Sequence, residues 1–489
     1  MDRSAFRVVI IGAGPGGIVA AKRLREEGFS NLEVIEASDA VGGTWNLNRY
    51  PGCECDVPSV MYSFSFAFKA DWSKPYGRQP EIRAYMQDVA EEYGVTPHCR
   101  FDDAVSSIEW NELDSCWHIT TESGRETSAN AVISAVGMLN EPVFPDIAGL
   151  ESFSGPMFHS ARWEDSVSLA GARVAVIGSA ASAVQLVPEI VSDVDQLYLF
   201  QRTANWVLPK GDDPYTEEQL AAFRADPTPL KEIRQLIEDN MNRGMTFALK
   251  ELNAEREQTG LAAIDEVADL EVREKLIPDH PFGCKRPLLS NVFYSCFNSP
   301  NLELVTEGIE EILPTGIRTR DGREIDVDVI ILATGYAATK FITTMSVRGS
   351  DGRSIQDAWS EGAQAYLGVT TSGFPNLFML YGPNMNNGSI IQMIEYQVEH
   401  VLEVLTGMDE KSLDWVDVHP EAMETFNRKV QEAIDGIDVW NLNCNTYYRA
   451  PNGRIVTQWP FSMLEYRQMS SPVDWSAFHS FSITKEFEQ

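Results

Sequence analysis

Val8-Val9-Ile10-Ile11-Gly12-Ala13-Gly14-Pro15-Gly16-Gly17 is the stretch on which the fold turns. Four apolar residues read as a short buried strand. Gly12, Gly14 and Gly17 then fit G-x-G-x-x-G where a helical pattern, Ile18–Glu27, begins. The first glycine makes the tight turn, the second lets a pyrophosphate approach the backbone, and the third lets helix pack on strand. The helix N-terminus behind them carries a partial positive charge suited to phosphate. A second strand, Leu32–Ile35, ends in Glu36, about twenty residues after the last glycine, where a carboxylate grips a ribose hydroxyl. An acid there disfavours a 2′-phosphate, so this site is expected to hold FAD or NAD rather than NADP.

The same unit recurs. Val174–Ile177 reads as a strand, Gly178-Ser179-Ala180-Ala181-Ser182-Ala183 as the turn and Val184–Ile190 as the helix. Ala180 stands at the middle glycine position, so a methyl group crowds the phosphate approach. The next strand, Leu197–Phe200, ends in Gln201-Arg202-Thr203 with no acid. A guanidinium at that place can bind a 2′-phosphate through two hydrogen bonds, which makes NADPH the expected occupant. Two such units imply an α/β fold with two Rossmann-like dinucleotide-binding domains. An FAD domain is expected over residues 1–140 and 335–489, and an NADP domain over 150–334. Residues 211–280 are acidic and helical in pattern, broken by Pro227, Pro229 and Gly260, and read as a helical insertion in the second domain. Strands are expected near 105–110, 117–121, 131–136, 302–305 and 329–332, and a helix over 390–405. The aromatic-rich C-terminal stretch has little periodicity.

At 489 residues the chain exceeds what one hydrophobic core organises. Its 39 Lys+Arg against 72 Asp+Glu give a net charge of −33. A field of that sign repels phosphate backbones and anionic lipid headgroups, which argues against nucleic acid and membrane partners. It also makes any cluster of cations informative. No apolar run approaches the ~18 residues of a membrane span, and the N-terminus lacks a secretory pattern, so a cytoplasmic location is expected. Seven cysteines, odd in number and scattered, suit a reducing compartment better than a disulfide framework. Cys53 and Cys55 read as packing thiols, and no clustered histidine or second cysteine pair completes a zinc site. Oligomeric state is not legible.

Between the two units stands Phe153-Ser154-Gly155-Pro156-Met157-Phe158-His159-Ser160-Ala161-Arg162-Trp163. This resembles the F-x-G-x-x-x-H-x-x-x-W fingerprint of the Baeyer–Villiger monooxygenases, although the family continues with Pro or Asp where this chain has Glu164. Gly42-Gly43-Thr44-Trp45 with Tyr50-Pro51-Gly52 and Asp56 is similar to a second family segment. Cys284-Lys285-Arg286-Pro287 and Ala333-Thr334-Gly335-Tyr336 extend the likeness over nearly the whole chain. The Gly382-Pro383-Asn384 loop looks nearest the hydroxyacetophenone monooxygenase branch.

The resemblance implies FAD and NADPH as cofactors, O2 and a small-molecule ketone as substrates, and an ester or lactone as product. It implies that Arg286 is the catalytic arginine holding a C4a-peroxyflavin as an anion, with Asp56 orienting it. Lys285 would join Arg202 and Thr203 on the 2′-phosphate. Gly43, Thr44, Trp45, Asp56 and Tyr62 match flavin-lining positions, Val105 one near the adenine, and Gln185 a cofactor-contacting position on the second unit's helix. Tyr447 falls where the family often places a tryptophan against NADP. His159 reads as a linker residue governing how the domains couple. Two other readings are an oxygenase of nitrogen or sulfur, which needs no arginine-held anion, and a flavin/NADPH oxidoreductase that does not activate oxygen.

Overall fold

The computed structural model describes residues 2–442, 444 and 446–482. Two five-stranded, all-parallel sheets form its frame. In the first, β1 (Val8–Ile11) is central, β1 leads through helix α1 (Pro15–Glu26) to β2 (Leu32–Ile35), and β1 also pairs with Ala131–Ser134. Cys99–Arg100 and Leu377–Met379 form the edges. The second sheet repeats the plan. Here β3 (Arg173–Ile177) is central, α2 (Ala181–Ile190) follows, and β4 (Gln196–Phe200) and Val329–Leu332 flank it. Leu302–Val305 and Met157–His159 are its edges. Val8–Ile11 and Val174–Ile177 of the central strands are apolar throughout because both faces are covered, as parallel sheets require.

The duplication runs further than the two glycine turns. In each half a three-stranded antiparallel meander precedes the strand that returns beside the centre: Val105–Asn111, Cys116–Thr121 and Glu126–Ala129 in one, Ile309–Leu313, Gly316–Thr319 and Glu324–Asp326 in the other. The second meander closes a small separate core in which Ile312, Ile317 and Ile325 meet Ala175, Ile330 and Leu332.

Four helices, Glu217–Ala225, Thr228–Gly244, Lys250–Ile264 and Leu270–Lys275, make up the insertion. Its neck is a two-residue ladder in which Val207–Leu208 pairs with Leu288–Leu289. Helix Ile390–Lys411 continues beyond the expected 405, capped by Ser389 at one end and stopped at Ser412 in a left-handed conformation. The aromatic tail is largely core: Trp440, Tyr448, Trp459 and Tyr466 are buried, and Phe478–Phe481 pairs with Trp415–Val418. Among the described residues no helix is long and apolar enough to cross a membrane.

One expectation is overturned. The cysteines are not all thiols, because Cys284 and Cys444, 160 residues apart in sequence, are joined by a disulfide. Folding brings their Cα atoms to 6.2 Å, a proximity that no local spacing reveals. Cys53, Cys55, Cys99, Cys116 and Cys296 are free.

Candidate active site

A single cavity of about 1580 Å³ runs between the two glycine turns. It exceeds the ~300–1,000 Å³ usual for one small molecule. Both turns approach backbone in the same way. At Gly12, φ is +104° and an added Cβ would lie 2.7 Å from the Ala135 carbonyl oxygen; Gly178, at φ +109°, meets the Ala333 carbonyl closer still. Each glycine therefore sits against the first residue after its own return strand, and a side chain at either would be both strained and blocked.

Gly12, Gly14, Glu36, Gly43, Thr44, Trp45, Asp56, Tyr62 and Val105 line the cavity from the first half. Gly178, Ser179, Ala180, Gln185, Arg202, Thr203, Lys285 and Arg286 line it from the second, with Tyr447 from the tail. Gly17 and Ala183 do not. They lie under the turns: a Cβ on Gly17 would strike the Gly12 carbonyl, and Ala183 is fully buried, so their part is packing rather than contact. Glu36 is held by its neighbours, Oε2 accepting from the Ala13 N–H at 2.6 Å and Oε1 from the Ser38 N–H at 2.8 Å.

Arg286 and Asp56, 230 residues apart, meet across the cavity. Nε and Nη2 donate to the same carboxylate oxygen, Oδ2, at 3.0 and 2.5 Å. Asp56 raises the Arg286 pKa still further above its ordinary value, burial opposes, and Tyr447 adds to the rise. The guanidinium stays charged at any working pH. It is not enclosed, with 36% of its side chain open to the cavity. Trp45 Nε1 donates to the Tyr62 hydroxyl at 2.8 Å, and burial raises the Tyr62 pKa well above normal, which keeps that phenol neutral.

Arg202 and Lys285 carry no ion pair with any described residue. Burial pulls the Lys285 pKa down, Asp279 works against it, and the neighbouring Arg202 lowers it again. Two neighbouring cations in so acidic a chain, neither in an ion pair with a described residue, mark a place shaped for an anion.

Sequence reasoning missed what holds the halves together. Gln185 accepts from the Tyr50 hydroxyl at 2.8 Å and donates to the Glu54 carbonyl at 2.9 Å, so it clamps the loop before Asp56 onto α2. Gly52 there, at φ +78°, packs directly on the Gln185 carbonyl. Beside it, Lys74 bridges Glu54 and Asp212 at 2.6 and 2.7 Å, and Lys210 pairs with both carboxylates. Nothing in the spacing of these residues announces the quartet. His159 is buried, its Nδ1 accepting from the Ala161 N–H at 3.0 Å, and its ring lies edge-on to Tyr336. Cys53 and Cys55 are buried thiols, Cys53 pushed up to about 12 by burial.

The chain matches the flavin-binding monooxygenase-like family over residues 5–410. It is 40% identical over 481 residues to a Baeyer–Villiger monooxygenase of Pseudomonas aeruginosa, covering 97% of this chain and 91% of that protein. It is 39% identical to a Baeyer–Villiger monooxygenase of Streptomyces coelicolor, covering 96% and 91%. Among solved structures it resembles OTEMO in complex with FAD and NADP, with a TM-score of 0.88 at 30% identity over 98% of this chain and 99% of that one. Cyclohexanone monooxygenase from Rhodococcus sp. Phi1 bound to NADP+ is equally similar, at TM-score 0.88 and 30% identity over 97% and 99%.

Proposed function

The chain belongs to the flavin-binding monooxygenase-like family, and from that footing we infer that it is an FAD- and NADPH-dependent Baeyer–Villiger monooxygenase. A ketone, O2, NADPH and a proton would give an ester or lactone, NADP+ and water. The residues present fit both cofactors: a cavity large enough for two, a glycine cradle at each end where a Cβ would collide, and the neighbouring cations Arg202 and Lys285 on the side of the second cradle. Gly12, Gly14, Gly43, Thr44, Trp45, Tyr62 and Val105 would hold FAD, with Glu36 on its ribose. Gly178, Ser179 and Ala180 would hold the NADPH pyrophosphate, with Arg202, Thr203 and Lys285 on the 2′-phosphate. Bound flavin, once reduced, supplies the chemistry with O2.

The protein's own contribution is charge and position. Arg286 presents a permanent positive charge to the cavity, where negative charge develops during oxygen transfer. Arginine serves because it cannot release its proton at working pH. Asp56 fixes the direction of that charge through two hydrogen bonds to one oxygen. The observation carrying the reading is this pair, drawn from opposite halves of the chain and facing the space between two dinucleotide cradles.

Incubating a panel of ketones with NADPH and isotopically labelled O2 tests it, with one labelled oxygen expected in the ester or lactone. Arg286→Ala should lower ester formation by about 10²-fold or more while NADPH still reduces the flavin. Unimpaired ester formation in that variant would overturn the assignment.

A further inference from the structure

Cys116 and His118 stand two apart on the strand Cys116–Thr121, so alternation turns both side chains to the same face, opposite the buried Trp117. Asp114, in the turn before the strand, completes a set. Its carboxylate oxygen, the Cys116 sulfur and a His118 ring nitrogen all lie within 4.8 Å of one another. His118 Nε2 is 3.9 Å from Asp114 Oδ2. Among the described residues no other three His, Cys, Asp or Glu donors converge in this way. A mixed Asp-x-Cys-x-His set has neither the paired cysteines nor the clustered histidines by which a zinc site announces itself in sequence.

The frame around these groups is fixed by contacts that none of the three supplies. Trp117 donates from Nε1 to the Pro375 carbonyl at 2.7 Å and packs against Trp110. Asn111, directly across the ladder from Cys116, accepts through Oδ1 from the Leu113 and Asp114 N–H groups at 2.9 and 3.2 Å. Those two bonds pin the turn that bears Asp114. Ser115 then redirects the chain at φ +47°. Donors on a braced hairpin lose less conformational freedom on binding than donors on a loose loop.

Zinc-like ions make bonds of roughly 2.0–2.3 Å, which in a tetrahedral shell sets neighbouring donors roughly 3.3–3.8 Å apart. The three donors stand within about 1 Å of that spacing. A thiolate and an imidazole disfavour calcium and magnesium, which take oxygen, and suit zinc, cobalt, nickel or copper. We propose that Asp114, Cys116 and His118 form a surface binding site for a divalent ion of the zinc class. One carboxylate and one thiolate balance the charge of the ion, and water takes the fourth position. On binding, a metal–sulfur bond replaces the sulfur–hydrogen bond of Cys116, and that proton passes to water. None of the three residues lines the cavity, so the site stands apart from the oxygenase reading.

The test uses purified holoenzyme stripped of metal by a chelator, with cobalt(II) as optical probe and zinc(II) as competitor. Wild type should bind one cobalt per chain with a thiolate-to-metal charge-transfer band in the near ultraviolet, read as a difference spectrum against the flavin. Zinc should abolish that band by displacement. Cys116→Ser should remove it, whereas Cys99→Ser, at the other half-buried thiol, should keep it. Asp114→Asn and His118→Ala should each weaken cobalt binding about tenfold or more. Alkylation of the folded protein gives a second readout. At free zinc about ten times its dissociation constant, modification of Cys116 should slow about tenfold and that of Cys99 should not change. The site is overturned by wild type that shows no band up to about 1 mM cobalt. A band that survives Cys116→Ser overturns it too, as does full affinity in either Asp114→Asn or His118→Ala.

Discussion

Arg202 and Lys285 stand out at the scale of single residues because they are neighbours, neither in an ion pair with a described residue, in a protein of net charge −33. Like charges left this way raise the free energy of the empty site, and an anion relieves it. Replacing Arg202 by alanine is expected to raise the KM for NADPH about tenfold or more and to leave that for NADH nearly unchanged, since only the former carries the 2′-phosphate. Lys285→Ala should act in the same direction. Steady-state kinetics with both nucleotides give the answer, and an unaltered preference would remove these residues from the phosphate site. Arg202 was readable from its place after an apolar strand. Lys285 was not, because a Lys-Arg pair in sequence is more often solvated, and only the family likeness singled it out.

At the scale of elements, the glycines of the first turn separate into two kinds. Gly12 and Gly17 are dictated by backbone already present, whereas Gly14, at φ −74°, would place a Cβ 3.5 Å from Gly43, an ordinary contact. Gly14→Ala should therefore fold with a melting temperature near wild type but lose FAD on gel filtration. Gly12→Ala should lose roughly 2–4 kcal/mol of stability, from strain and collision together, measured by denaturant titration. Equal behaviour of the two would contradict the packing described. Such turns were legible because their requirement is local. Both strand–turn–helix units, the first two meander strands of the first half and the insertion could be read from period and punctuation alone, whereas the third meander strand, Glu126–Ala129, was not expected. Contacts that join distant segments could not: the disulfide, the Gln185 clamp and the Lys74–Lys210 quartet depend on which surfaces meet after folding. Nor was the tail legible, since a segment filling gaps in a finished core needs bulk and has no period of its own.

Over the whole molecule, burial sets an acid limit. The His159 pKa is pushed down to about 4, chiefly by burial, with the Gly335 backbone working against it, while the unfolded imidazole titrates near 6.5. Above pH 6.5 neither state binds the proton; between 6.5 and 4 the unfolded state alone does, so stability falls as pH drops through that window, by up to about 3 kcal/mol. Asp417 acts oppositely. Burial raises it to about 6, so the folded state gains as pH falls through 6 and partly offsets the loss. The wild-type denaturation midpoint should therefore decline more steeply between pH 6.5 and 4 than that of His159→Gln, and parallel curves would show that the imidazole is not held neutral. The neck of the helical insertion has a consequence for engineering. Lys285 and Arg286 lie just inside its closing strand, Leu288–Leu289, so the module is anchored at its exit by the very residues that face the cavity. A graft exchanging this module with a relative's at joints 208 and 288 imports the donor's cations as well as its helices. Under the proposed role of Arg286, oxygen-transfer competence will then travel with the helices unless the outgoing joint is moved upstream of Cys284.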